Sequence, residues 1–132
     1  MYKRDYLGWH NIKETINDTD HELFFREREV WWCSLGANIG SEQDGTGAKF
    51  LRPIIVFKKF NTHVFWGIPT TTKPKESGLQ IPVNTQSNQK QSYAIISQLK
   101  LLDRKRLVDK IGHISKKDYS DIQKAIIKIV SL

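Results

Sequence analysis

Between two apolar runs, Val30–Leu35 and Ile54–Phe57, lies a long loop, residues 36–51, which holds four of the chain's eight glycines. Val30–Leu35 is bulky on both faces, as expected of a strand covered on both sides. The chain therefore has to bring its strands together across a long glycine-rich loop, and such loops in compact domains are usually functional or mobile. This one carries Gly40-Ser41-Glu42-Gln43 and leads to Arg52. A hydroxyl, a carboxylate, an amide and an arginine make a set suited to handling phosphate.

Past Arg52 the strand pattern continues. Ile54–Phe57 and Val64–Ile68 read as a hairpin joined by residues 58–63. Apolar residues alternate in Leu79–Val83, where Pro82 predicts an edge strand. Tyr93–Leu99 reads as the last strand, and the C-terminal third as helical. Asp103–Leu107 fits a short turn. Ser115 and Asp118 form a capping box for a helix with Ile122, Ala125, Ile126, Ile129 and Val130 on one face. Lys117, Asp121, Lys124 and Lys128 fall on the opposite, solvated face. At the other end Trp9, Ile12 and Ile16 recur at helical spacing until Asn17–Asp20 breaks the pattern. Thr19 and Glu22 are spaced to cap a second short turn. The predicted class is mainly β (α+β), with about five antiparallel strands in a small twisted barrel and a C-terminal helix as cover. Residues 1–24 read as an N-terminal helical extension and 25–132 as the main domain.

A chain of 132 residues is one domain by size and can bury a real core. Its 39% apolar and 27% charged content excludes wholesale disorder. A net charge of +7 and a pI near 9.6 point to a polyanionic partner: RNA or DNA first, an acidic protein second. The single cysteine, Cys33, excludes an internal disulfide framework, and its apolar neighbours predict a buried thiol. No run reaches membrane-span length and Met1–Asp5 lacks the apolar core of a signal peptide, so the protein is expected to be cytoplasmic, with no membrane partner. His10, His21, His63 and His113 lack metal-ligand spacing and lie outside the loop that leads to Arg52. They are expected to be structural or surface residues, and no cofactor or metal is expected.

Arg28-Glu29-Val30-Trp31-Trp32 enters the first strand and is followed by Gly40-Ser41-Glu42-Gln43. Next come Arg52-Pro53-Ile54-Ile55-Val56 and a strand ending in Pro69-Thr70-Thr71. Ser97-Gln98-Leu99 then runs on to Arg106-Leu107 and to Lys110–Ser115. From about Phe25 onward this ordered series resembles the MazF/PemK family of toxin-antitoxin ribonucleases. The resemblance implies an SH3-like barrel, a homodimer, metal-free cleavage of single-stranded RNA, and an acidic cognate antitoxin whose extended tail occupies the RNA groove. It implies cleavage roles for Arg52 and Thr70 and a groove-lining role for Ser41, Glu42 and Gln43. Two departures stand out. Eight residues, Asp44–Leu51, separate Gln43 from Arg52, more than in short-looped members. Ser97 stands where many relatives carry an acidic residue.

Metal-free RNA cleavage uses the substrate's own 2′-hydroxyl as nucleophile, so the protein supplies charge stabilisation and proton transfer. Arg52, with a planar fork of donors, suits the developing phosphorane charge. Thr70 can donate to a phosphate oxygen, with Thr71 beside it. Glu42 can orient the 2′-hydroxyl or a base edge, or pair with Lys49. Lys49, Lys58, Lys59, Lys73 and Lys75 surround the polar loops as a phosphate track. Phe50, Phe60 and Trp66 are candidates for base stacking, although Trp66 inside a strand is expected in the core. Two other readings stay open: a non-catalytic toxin of the same fold that poisons DNA gyrase, and an RNA-binding module whose Ser97 marks lost activity.

Overall fold

The computed structural model describes residues 3–19, 22–74, 79–86 and 91–131. Seven strands and two α-helices follow in the order α1 (Tyr6–Asp18), β1 (Glu29–Ser34), β2 (Leu51–Lys59), β3 (Val64–Thr71), β4 (Gln80–Val83), β5 (Ser92–Ile95), β6 (Lys100–Asp103), β7 (Leu107–His113) and α2 (Lys116–Val130). Tight 3-10 turns at Ile96–Gln98 and Arg104–Arg106 lead into β6 and β7.

Strand β2 shows why the sheet has two buried sides. Successive side chains point to opposite faces, so Ile54 and Val56 enter one core and Ile55 and Phe57 the other. The first core adds Trp31, Cys33, Phe65, Leu102 and Leu107, closed over by Phe25. The second adds Val30, Ile68, Ala94 and Ile96 and is covered by Ile122 of α2. At roughly 1.5–3 kcal/mol for each large apolar side chain removed from water, these two clusters dominate folding.

The sheet is antiparallel, in the order β4-β5-β3-β2-β1-β7, with β6 also on β3. Strand β3 bonds β6 through Val64–Gly67 and β5 through Thr70 and Thr71, so its two halves belong to differently directed parts of the sheet. Irregularities at Val30/Trp31, Trp32/Cys33 and Val56/Lys58 bend it further. The end strands approach one another where His113 N–H donates to Gln86 Oε1 at 3.3 Å. The mainly-β class, the C-terminal helix and the N-terminal helix all stand as expected, and β4, with Pro82, lies at an edge.

Three expectations fail locally. The strand expected over Tyr93–Leu99 stops at Ile95 and turns, and β6 and β7 occupy a region expected to be helical. A strand that, among the described residues, pairs with β1 alone and across two irregularities loses the alternation that would announce it. No second helical turn follows Thr19 in the described residues. Its backbone is extended, its hydroxyl donates back to Thr15 O at 2.8 Å and its N–H to Ile16 O at 3.2 Å, so Thr19 closes α1. Ser115 does cap α2, accepting from Asp118 N–H at 3.0 Å, and Asp103 caps the Arg104–Arg106 turn. Of the apolar face of α2, Ile129 and Val130 remain exposed.

Helix α1 starts at Asp5, whose carboxylate accepts the Gly8 N–H at 2.8 Å, and it packs on the long loop. Trp9, Ala37 and Phe50 form a third buried cluster, with the Trp9 and Phe50 rings 5.5 Å apart. Gly36 has φ +89°, and a Cβ there would overlap the Trp9 ring, so helix and loop approach only at glycine. The loop is folded on itself. Leu35 N–H donates to Phe50 O at 2.8 Å, and Thr46 and Leu51 exchange two bonds of 2.8 Å. Among the described residues no helix is long and apolar enough to cross a membrane.

One buried carboxylate ties the start of β1 to the turn before it and to β7. Glu29 Oε1 accepts from Arg26 N–H at 2.7 Å and from Trp31 Nε1–H at 3.0 Å, and Lys110 Nζ lies 2.8 Å from Oε2. Burial pushes the Glu29 pKa up, but the Lys110 contact and the two N–H donors outweigh it and hold the carboxyl below its ordinary range. The folded state therefore keeps Glu29 charged to lower pH than the unfolded chain does. Its contribution is full above pH 4.5 and fades as pH falls through the depressed value. Glu29→Gln is expected to lose about 1–3 kcal/mol at neutral pH. Guanidinium melts of both proteins should show that gap closing as pH drops below 4.5. Burial also pushes the Cys33 thiol up to about 12, against the weaker opposing effects of Arg106 and Lys100. An aromatic disulfide reagent at neutral pH should leave native Cys33 unmodified and react with it at once in denaturant.

Candidate nucleic-acid interface

Arg52 enters β2 at its first turn out of the loop, opposite Cys33 of β1. Its guanidinium is held from two sides: Nε donates to Asp44 O at 2.6 Å and Nη1 to Thr70 O at 3.0 Å. Two carbonyls from different elements thus fix the plane of a cation that lines a cleft of about 320 Å³. Thr70, Thr71, Lys73 and Trp32 line the same cleft. The Thr70 side chain is buried and its hydroxyl donates to Pro53 O at 3.0 Å. The part of Thr70 that engages Arg52 is therefore its carbonyl, and its hydroxyl proton is already in use. Thr71 Oγ1 accepts the Lys73 N–H at 3.1 Å, which turns the chain and sets the Lys73 side chain at the cleft.

A second cleft, of about 410 Å³, is lined by Ser41, Glu42 and Gln43 from the loop and by Pro69, Gln98 and Lys100 among others. Gln98 fastens the loop, donating from Nε2 to Ser41 O at 3.2 Å and accepting the Gln43 N–H at 3.4 Å. Glu42 Oε1 accepts the Ile39 N–H at 2.9 Å, closing a tight turn of its own. Ser97 is exposed on this cleft, on the turn after β5. Burial lowers the Lys100 pKa, Arg106 lowers it further, and Glu42 acts weakly the other way. Asp44 stands next to the loop segment. Its buried carboxylate accepts Asn38 N–H at 2.7 Å and pairs with Arg4 Nε at 2.6 Å.

The residues singled out from sequence thus divide. Arg52, Thr70, Thr71 and Lys73 share one cleft, and Ser41, Glu42 and Gln43 line the other. Lys49 is exposed and lines neither. Among the described residues the expected lysine track does not assemble. Lys59 Nζ donates to Phe25 O at 2.9 Å and sits 4.6 Å from the Phe25 ring, while Lys58 faces Glu27. Lys75 and His21 lie outside the described residues. Phe50 is buried against Trp9 and offers no stacking face, whereas Trp66 is 40% exposed, edge-on to Phe60 at 5.0 Å. His10, His63 and His113 are exposed. Among the described residues no group of three or more His, Cys, Asp or Glu side chains is placed to hold a metal ion.

Sequence reading missed Trp32, Gln98, Asp44 and Arg4. Trp32 sits in a run bulky on both faces, where nothing local marks the outward side chain. Gln98 had a signal, its place after Ser97 in the motif series. An ion pair between residues forty positions apart leaves no local trace.

The comparisons agree with this architecture. The model of the PemK-like, MazF-like toxins of type II toxin-antitoxin systems matches residues 26–130, so α1 lies ahead of the matched part. The fold is similar to that of MazF from Deinococcus radiodurans, at a TM-score of 0.65 and 12% identity over 83% of this chain and 99% of that one. An endoribonuclease from a mycobacterial species gives 0.60 and 14% over 85% and 97%. A chain of a MazE–MazF structure from Deinococcus radiodurans gives 0.58 and 9% over 83% and 98%. No curated protein sequence matches the chain significantly. With a family model spanning most of its length, the chain belongs to the PemK-like, MazF-like toxins of type II toxin-antitoxin systems.

Proposed function

We propose that this toxin is a metal-independent, sequence-specific endoribonuclease that cleaves single-stranded messenger RNA by attack of the substrate's 2′-hydroxyl. The observation that carries the reading is Arg52, a cation oriented by two carbonyls at the mouth of a cleft. In that reaction the 2′-oxygen attacks the adjacent phosphorus as its proton is removed. The 5′-oxygen leaves and takes up a proton, and a 2′,3′-cyclic phosphate remains. Arg52 stabilises the charge on the equatorial phosphate oxygens first and serves proton transfer second, because a guanidinium gives up its proton reluctantly. Thr70 holds Arg52 through its carbonyl, and its hydroxyl reaches phosphate only by exchanging the Pro53 carbonyl. Lys73 adds charge, and exposed Trp32 offers a face for one base. Ser41, Glu42 and Gln43, on the second cleft, hold the RNA further along the strand.

The working form in this reading is a cytoplasmic homodimer of a 25–132 domain extended by residues 1–24. Closed dimers are the commonest oligomers, and exposed Ile127, Ile129 and Val130 leave apolar surface on α2 to cover. Its antitoxin partner carries an acidic segment that is disordered when free and orders in the basic groove.

Purified protein incubated with a long single-stranded RNA in EDTA is expected to yield discrete fragments at one short motif. Arg52→Ala should slow cleavage about 10²–10³-fold, as loss of a positioned charge-stabilising donor does. Thr70→Val should cost less than about tenfold, since the carbonyl that holds Arg52 survives. Intact RNA alongside trapped gyrase cleavage complexes would replace this reading with a gyrase poison, and salt-sensitive binding without scission would reduce it to an RNA-binding module. For the assembly, light scattering behind size exclusion should give twice the 15.4 kDa chain mass at micromolar concentration. A monomer there contradicts the dimer.

A further inference from the structure

Asp44 joins two arginines. Its carboxylate pairs with Arg4 Nε at 2.6 Å, and its backbone carbonyl accepts Arg52 Nε–H at 2.6 Å. We propose that Arg4, from the N-terminal segment, is a positioning residue for Arg52: it fixes the loop that presents the Asp44 carbonyl, and so sets the guanidinium that meets the substrate phosphate. The inference rests on the reading of Arg52 as the group that stabilises the reacting phosphate.

The Arg4 fork spans the loop rather than one partner. Besides Asp44 it donates from Nη2 to Gly40 O at 2.6 Å and to Glu42 O at 3.2 Å. Three points of the segment that lines the second cleft are thereby tied to one planar group. Asn38 N–H on the Asp44 carboxylate at 2.7 Å, and Asn38 Nδ2 on Gln43 O at 2.7 Å, lock the same turn from within. Gln98 holds it through Ser41 O and the Gln43 N–H. What keeps Arg4 in place is α1. Tyr6 Oη donates to Asn38 O at 2.8 Å, Trp9 is buried on Phe50, and Lys105 Nζ donates to Asn17 O at 2.8 Å at the far end of the helix. Phe50 carries φ +55°, a backbone region a bulky residue rarely adopts, immediately before β2. The helix therefore braces both ends of the insertion between Gln43 and Arg52, the length that sets this chain apart in sequence. A lysine at position 4 would be a point donor and could not reach the carboxylate and both carbonyls together.

The test uses the full chain and two readouts. The first is solvent exchange of the Arg52 Nε–H by NMR, assigned by its loss in Arg52→Lys. Wild-type exchange should be slow, and Arg4→Ala should accelerate it at least about tenfold, with Arg4→Lys between them. The second is cleavage of a long single-stranded RNA. Arg4→Ala should lower kcat about tenfold or more, with a smaller change in KM, through misplacement of a charge-stabilising group. Placed in an Arg52→Ala background, it should add no further loss. Glu14→Gln, at an exposed position of α1, should match wild type in both readouts. Unchanged Nε–H exchange in Arg4→Ala overturns the inference, as does a full additional loss of rate on top of Arg52→Ala. If Arg4→Ala does not fold, Arg4→Lys decides by the same two criteria. If wild type cleaves no RNA, the proposed function fails by itself, and the exchange measurement still rules on the link from Arg4 to Arg52.

Discussion

Strand β2 is buried on both faces, and that constraint sets the register of everything around it. A shift of one residue would carry Ile54 and Val56 from one core into the other and exchange them with Ile55 and Phe57. Neither core has room for such an exchange, because each is already matched across the ladder. Ile54 faces Trp31 and Pro69, while Ile55 faces Val30 and Ile68. With the register fixed, Arg52 must lie opposite Cys33 at the rim, and Pro53 must lie opposite Trp32. The cleft residues inherit their positions from packing several residues away.

The loop before β2 cannot rely on that kind of packing. It has one small cluster, Trp9 with Ala37 and Phe50, and otherwise depends on polar contacts. The Asp44 carboxylate is 8% exposed, and burial of that degree is tolerable only with donors in place. Asn38 N–H and Arg4 supply them. The same residue offers its carbonyl to Arg52, so the element that satisfies a buried charge also presents the acceptor that aims a surface cation. This is a different way of organising a site from β2: few contacts, each of them directional, and dependent on a helix outside the matched 26–130 region.

Those two modes explain what could be read from sequence. Local signals were sufficient for α1, for the β2–β3 hairpin, for the edge position of Pro82 and for the Ser115 cap, because each depends on spacing within one element. Strands β6 and β7 escaped because β6 has only four residues and β7 pairs with β1 across two irregularities, so neither keeps a clean alternation. At the site, Arg52 and the Ser41–Gln43 turn were marked by an ordered motif series. Trp32 was not, because Val30–Leu35 is bulky on both faces and gives no sign of which face a rim residue shows. Trp66 was misplaced for a related reason: it looks like core by composition, yet it pairs with Lys58 and Leu101 on the outer surface. The Asp44 contacts are long-range and directional, and no periodicity carries them.

Net charge is a poor guide to where an anion would bind on this molecule. Several cations are engaged in holding the fold: Lys110 with Glu29, Lys59 with the Phe25 carbonyl, Arg106 with the Ser34 carbonyl and Lys105 with the Asn17 carbonyl. The cations that line the two clefts are Arg52 and Lys73 in one and Lys100 in the other. Lys100 differs from the rest, since burial and then Arg106 lower its pKa from the ordinary lysine value. Diffuse positive charge brings a polyanion near and is screened by salt over about 8–10 Å. A partly buried cation such as Lys100 or Arg52 is less screened, and its position is fixed by the fold.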